Sequence, residues 1–394
     1  MKTMKRSLTG ILTTHTGSLA RPPHVRQMLV DRDAGTPIDR AALDAAVREA
    51  VAGVVRNQAE IGLSSINDGE QSKIGFANYV TERLNGFGGP DEPRPVGLDI
   101  REFPEWASSR TPGPRFRRPA CDGPVTWKDF VAVETDITNL QAAAREVGAD
   151  EVFMTAVSPG TLANFFPNRH YPSREAFLFA LADVMKREYE AIVRAGFVLQ
   201  LDCPDLALGS FWFPDLSTEE FRAVVALNIE ALNHAIAELP PDQMRMHVCW
   251  GAGETPHLFD IPLKAIVDLL LAARPAALSI VGANGRHEHE WRVWEDVKLP
   301  DGKILIPGVI DSTTNIVEHP ETVAERIVRY AGVVGRENVI AGVDCGFATS
   351  STSDQVDGKV AWAKLRALRD GAELATTQLW RRRSSGRAEA RGQS

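Results

Sequence analysis

Eight short apolar runs, each with polar or sulfur-bearing residues at its trailing end, alternate with longer amphipathic stretches along this chain. That alternation narrows the fold more than any other feature. The runs are GILTTHTGS (10–18), LSSINDGE (63–70), EVFMTAVSP (151–159), FVLQLDCP (197–204), MRMHVCW (244–250), ALSIVGAN (277–284), ILIPGVIDS (304–312) and NVIAGVDCG (338–346). Short continuous apolar runs suit strands buried on both faces, as in parallel sheets. Between them, DRAALDAAVREAVAGVVRNQAEIG and SREAFLFALADVMKREYEAIVRAG space apolar residues three and four apart and close on a glycine suited to a left-handed helix end. Eight strands with crossover helices make a (β/α)8 TIM barrel, for which about 250 residues suffice. No phosphate-type G-x-G-x-x-G follows the first run, which counts against an open doubly wound sheet.

The 394 residues leave room for an insertion. The stretch 86–148, with GFGGPDEPRP and SSRTPGPRFRRPACDGP, is dense in Gly, Pro and Arg and predicts a loop-rich excursion over the barrel mouth. Residues 1–380 are therefore read as a single TIM-barrel catalytic domain, and the polar, basic 381–394 as a disordered tail. A net charge of −8 repels phosphate backbones and anionic lipid, so neither nucleic acid nor membrane is an expected partner. No run approaches the ~18 apolar residues of a membrane span, and the N-terminus lacks the apolar core of a signal peptide. A cytoplasmic protein is expected, and its four cysteines, Cys121, Cys203, Cys249 and Cys345, are expected as free thiols or ligands.

In such a barrel the polar residues ending the strands face the C-terminal mouth, where these folds place their chemistry. Ser18, Asp68, Glu70, Asp202, Cys203, His247, Cys249, Asn284, Asp311, Asp344 and Cys345 all fall there. On a strand, residues two apart point the same way, so His247 and Cys249 share a face, and the closed barrel brings Cys345 alongside. Zinc takes thiolate and imidazole ligands, with three protein ligands and one open position in a catalytic site. Taken alone, His-x-Cys reads first as a buried core pair, because Cys is among the residues most often buried, and a metal site is the lesser reading.

The chain also resembles the cobalamin-independent methionine synthases, in particular short single-barrel proteins related to their catalytic C-terminal half. The pieces that carry the resemblance, in order, are TTHTGSLARP, NDGEQSKIGFANYVTERLNGF, SPGT, AGFVLQLDCPD, HVC, ALSIVGANGRHEHEW, PGVIDSTTNIVEHPETVAERI and NVIAGVDCGFAT. The resemblance implies zinc held by His247, Cys249 and Cys345. It also implies that homocysteine docks its amine near Glu70 and Asp202, with Ser18 near its carboxylate. One position departs: where the family has a Glu ligand, in a run like S-F-E-A-A-N, this chain reads SIVGAN and places Val281. That leaves a zinc with three protein ligands and water or substrate as the fourth, a substitute carboxylate such as Glu288 or Glu254, or loss of the metal.

The implied function is a zinc-dependent methyl transfer to the thiol of homocysteine or a similar amino thiol. The resemblance implies a methyl-folate as donor, but the chain has no length for the second barrel that helps with the folate in full-length synthases, so the donor's identity is open. Glu70 and Asp202 are the candidate catalytic groups, and with Ser18 they bind the substrate. Two alternatives stand beside it: a zinc-dependent thiol transferase or lyase acting on an epoxide or other non-folate electrophile, and a metal-free accessory barrel. The partners expected are a small-molecule thiol, an alkyl donor and a second copy of the chain in a homodimer. Cys203 reads as a fourth soft ligand or an inert buried thiol, His15 as a turn residue. The run RHEHE (286–290) reads as structural or as support for the site rather than as a second zinc site.

Overall fold

The computed structural model describes residues 3–109, 117–352 and 355–389. Seven parallel strands form one curled sheet in the order β1, β9, β8, β7, β6, β5, β4. These are β1 (Leu12–Thr13), β4 (Phe153–Val157), β5 (Val198–Asp202), β6 (Met244–Val248), β7 (Ala277–Ile280), β8 (Ile304–Ile310) and β9 (Ile340–Val343). Two further strands, β2 (Leu84–Asn85) and β3 (Thr126–Trp127), pair with each other antiparallel, outside the sheet.

The eighth stave is the run at 63–70, and it is not a regular strand. Only Leu63 and Ile66 are apolar within LSSINDGE. On one side, Ser64 and Ser65 donate their backbone N–H groups to the Thr13 carbonyl. On the other, Ile66 donates to Glu151 and accepts from Phe153, leaving a single parallel bridge between Ile66 and Val152. The (β/α)8 ring thus closes through hydrogen bonds on both flanks of an irregular segment.

Strand alternation sorts the barrel interior into layers. Near the N-terminal end, Phe153, Val198, Ala277, Ile304, Ile306 and Ile340 form an apolar plug with Met4. One step up, Thr155, Gln200 and Arg245 stand in register across β4, β5 and β6. The next step brings Asp202 into register with His247, and His247 with Ser279. Arg245 is fully buried, and its guanidinium lies 3.6 Å from the centroid of the Phe153 ring. It donates from Nε to Gln200 Oε1 (2.7 Å), from Nη1 to Thr14 Oγ1 (2.9 Å) and from Nη2 to the His15 carbonyl (2.9 Å).

The helices Arg40–Ile61 and Arg174–Arg194 carry the apolar stripes read from the sequence, and with Thr218–Ala235 and Pro320–Val334 each buries an apolar face. Asp39, Ser173 and Ser217 cap the first three, and Ser217 with Glu220 forms a reciprocal capping box. The excursion is shorter than 86–148. Val131–Glu146 is a helix that buries Val133, Leu140, Ala143 and Ala144, residues spaced for one helical face. What remains ahead of it carries the short helices Leu98–Glu102 and Pro104–Ser109. The helix Gly358–Glu389 runs beyond residue 380, and 390–394, the rest of the stretch read as a tail, lie outside the described residues. Among the described residues no helix is long and apolar enough to cross a membrane.

Two glycines test the packing. A Cβ on Gly308 would sit 1.9 Å from Asp344 Oδ1 and 2.8 Å from the Asp344 backbone, whereas one on Gly332 would meet nothing within 4 Å. Gly308→Ala should therefore cost at least about 1–3 kcal/mol by wedging β8 from β9. Gly332→Ala, inside a helix, should gain about 0.4–1 kcal/mol. Urea denaturation of both variants measures the contrast.

Candidate metal and substrate site

His247 stands at the top of β6, Cys249 follows two residues on, and Cys345 lies just past the end of β9. One donor atom from each lies within 4.8 Å of the others. The two sulfurs are 3.7 Å apart. A disulfide would place them at about 2.05 Å, and a tetrahedral ion with metal–sulfur bonds of about 2.3 Å would place them about 3.8 Å apart. His247 is 2% exposed, yet neither ring nitrogen has a hydrogen-bond partner. A buried imidazole left unsatisfied is costly, and an ion shared with two sulfurs removes that cost. The Cys345 thiol beside Cys249 pulls the Cys249 thiol well below its ordinary range against the cost of burial, and His247 adds to the effect. An imidazole and two thiols, one of them disposed to ionise, suit a borderline-soft divalent ion such as zinc.

Two acids, Glu70 and Asp202, line the same cavity, Asp202 on the strand next to His247. Glu70 sits in a left-handed backbone conformation (φ 57°) directly after Gly69 (φ 63°). Asp68 Oδ1 accepts from the Glu70 backbone N–H, and Glu70 Oε1 accepts from Thr155 Oγ1 (2.9 Å). Glu70 Oε2 is buried without a partner, and so is Ser18 Oγ. Gln200 Nε2 donates to Asp202 Oδ1 (2.8 Å), and the Arg245 contact to the Gln200 carbonyl oxygen fixes that amide with its NH2 toward the acid. Burial first, and the nearby Glu70 charge second, push Asp202 up to about 7.

All six residues read from the sequence, Ser18, Glu70, Asp202, His247, Cys249 and Cys345, line one cavity of about 370 Å³. Its upper walls are apolar, with Phe76, Phe165, Phe211, Trp212 and Trp250. Arg94 and Leu98–Ile100, from the excursion, line it as well. Sequence reasoning missed Arg94, whose guanidinium stands 5.4 Å from the Phe165 ring centroid. It also missed His257 and Asp260, which line the cavity from a Gly- and Pro-containing loop without periodicity.

The other candidates separate clearly. Val281 is buried and joins the apolar core. Glu288 pairs with Arg326 (3.3 Å) and Arg329 (3.6 Å), so it is no substitute ligand, and Glu254 is exposed. Among the described residues, neither acid joins the His247, Cys249 and Cys345 cluster. Cys203 is also outside that cluster; its Sγ lies 3.5 Å from the Leu201 carbonyl oxygen. His15 is structural: burial lowers it to about 4, its Nδ1 accepts from the Gly17 N–H, and its Nε2 meets Gln58 Oε1 at 2.8 Å.

The chain matches no protein-family model. It is 23% identical over 375 residues to a methionine synthase of Saccharolobus solfataricus, covering 94% of this chain and 96% of that protein. It is 25% identical over 393 residues to the uncharacterized protein YxjH of Bacillus subtilis, covering 96% and 97%. Among solved structures, the fold is similar to a B12-independent methionine synthase from Shewanella sp. W3-18-1 in complex with selenomethionine, with a TM-score of 0.69 and 21% identity over 94% of this chain and 99% of that one. A putative vitamin-B12-independent methionine synthase from Listeria monocytogenes gives a TM-score of 0.63 and 19% identity over 92% and 98%. The chain is therefore a homologue, along 94% of its length, of proteins named methionine synthase, and it is built on the barrel that B12-independent methionine synthases share.

Proposed function

We propose that this protein is a zinc-dependent thiol alkyltransferase that methylates the sulfur of homocysteine or a closely similar amino thiol. The observation that carries the reading is the partnerless, buried imidazole of His247 beside two sulfurs 3.7 Å apart. His247, Cys249 and Cys345 would hold the ion. Bound there, zinc supplies the Lewis acidity that keeps a thiol deprotonated at neutral pH, where a free thiol of pKa about 8.5 is mostly protonated.

The chain's own groups place the rest of the substrate. Glu70 Oε2 and the Asp202 carboxylate take the ammonium, whose charge restores ionisation to an acid that burial otherwise protonates. Ser18 Oγ, without a partner of its own, donates to the substrate carboxylate. The aromatic walls keep water from the reacting sulfur. A sulfur lone pair forms the new bond to carbon as the donor's bond to that carbon breaks, and the donor's leaving atom takes up a proton. The donor we infer is a methyl-folate. Val281 favours a second reading, in which the same thiol opens an epoxide or another non-folate electrophile. Without the carboxylate the ligand set is less anionic, and an ion held by it would be more Lewis-acidic.

Zinc-loaded protein given homocysteine and methyl-tetrahydrofolate should yield methionine, read by mass spectrometry. Zinc bound without methionine, together with thioether formation from an epoxide, would establish the second reading. Failure to bind zinc would end both and leave an accessory barrel. Cys345→Ser should weaken zinc by more than the roughly 10–100-fold typical of outer-shell partners.

A second prediction follows from Asp202. Its folded-state value of about 7 lies above the ordinary 3.8, so the folded chain holds this proton where the unfolded chain has lost it. The group therefore costs stability progressively as pH rises from about 4 to about 7. In the metal-free, substrate-free protein, Asp202→Asn should raise stability at pH 8 by at most about 4 kcal/mol, read as a higher thermal midpoint, and leave the midpoint unchanged near pH 4. Equal melting of variant and wild type at pH 8 would show that the acid is already paired.

A further inference from the structure

Beyond the thiolate cluster, the same cavity wall carries a second convergence of ligand atoms. His257 and Asp260 come from the loop after β6, and His287 from the loop after β7. One donor atom of each lies within 4.8 Å of the other two. Asp260 Oδ2 is the focus, 2.7 Å from His257 Nδ1 and 3.0 Å from His287 Nε2. Ligands bound at about 2.1 Å and at right angles lie about 3.0 Å apart. We propose that His257, Asp260 and His287 are a second metal site, a two-histidine, one-carboxylate set for a divalent first-row transition ion.

The surroundings have the form of a metal site's outer shell. A metal-bound histidine donates its other ring N–H to a carboxylate or a backbone carbonyl, which fixes the ring. His287 Nδ1 meets Glu290 Oε2 at 3.0 Å, and His257 Nε2 meets the Gly253 carbonyl oxygen at 3.1 Å. Glu290 is itself held, its Oε1 accepting from the Leu263 N–H (2.7 Å). The side chains of His257, Asp260 and His287 are 7%, 4% and 3% exposed. Trp250 lies over the His287 ring with centroids 4.4 Å apart. His257 holds a left-handed φ of 55°, a conformation that costs a non-glycine residue free energy and that turns its ring into the cluster.

Charge balance is compatible with exchange. Without an ion, every ring nitrogen here faces an oxygen acceptor, so both rings are doubly protonated and balance Asp260 and Glu290. An entering dication displaces two protons and leaves the net charge of the buried group unchanged. Two nitrogens and an oxygen form a harder donor set than the two sulfurs of the first cluster, so open positions here would take oxygen ligands: water, a hydroxyl or a carboxylate. Since His257 and Asp260 line the cavity, that oxygen would belong to whatever occupies it.

The test counts ions. Full-length protein stripped with chelator, reloaded with Zn2+ or Co2+ and desalted should carry two ions per chain by mass spectrometry. The Cys249→Ser, Cys345→Ser double variant should retain one. His287→Gln and Asp260→Asn should each lose one, while the thiolate-to-cobalt charge-transfer absorption of the first site persists. One ion in the wild type with that absorption present, or none in the double cysteine variant, would overturn the proposal and reduce the cluster to a hydrogen-bonded clamp. The double cysteine variant decides the matter even where a cluster variant fails to fold. The charge-transfer band separates loss of this site from failure of the thiolate site.

Discussion

Strand alternation puts every second side chain of a closed parallel sheet inside the ring, and whatever stands there has to find its partners inside as well. In this barrel the lower interior is apolar and needs none. The middle layer satisfies itself, with Arg245 spending its donors on Gln200, Thr14 and His15. The top layer does not. His247, Glu70 and Ser18 each keep at least one buried polar atom without a protein partner. Chains with such groups are less stable than they would otherwise be, and the deficit is made good when a ligand arrives. The chemistry of the site is thus written in what the interior leaves unfinished.

Backbone strain points to the same place. Among the described residues, Glu70 and His257 are the only non-glycine residues with a left-handed φ. One projects an acid into the cavity and the other an imidazole. Each conformation costs of order 1–3 kcal/mol and persists only where surrounding contacts impose it. Asp68 holds the Glu70 backbone, and Asp260 with Gly253 holds the His257 ring. The two loops are bent against local preference, and the bending sets the position of a charged side chain.

The fold and the first cluster were largely legible in the sequence, for a definite reason. Buried parallel strands need apolar residues on both faces, so MRMHVCW and NVIAGVDCG read as strands and their polar exceptions read as site residues. Where that pattern weakens, the reading weakens too: LSSINDGE has too few apolar residues to be a ladder strand. The helix Val131–Glu146 was obscured by the Gly- and Pro-rich stretch ahead of it, although its own spacing is helical. His257 and Asp260 carried no readable signal, because a polar loop has no period and its meeting with His287 is decided only by tertiary packing. The departure at Val281 was visible; that no carboxylate among the described residues joins the cluster in its place was not.

The irregular segment at 64–67 has a mechanical consequence. It is the seam of the barrel, joined to its neighbours by a handful of backbone bonds, whereas β6 stands between two full ladders on the far side. The chain leaves that seam directly into Asp68, Gly69 and Glu70. Local opening favours the region with the fewest bonds, so the stave that leads into Glu70 yields before β6, which carries His247. Glu70 is therefore the site residue most free to adjust, while Asp202 and His247 stay fixed on strands paired along both edges.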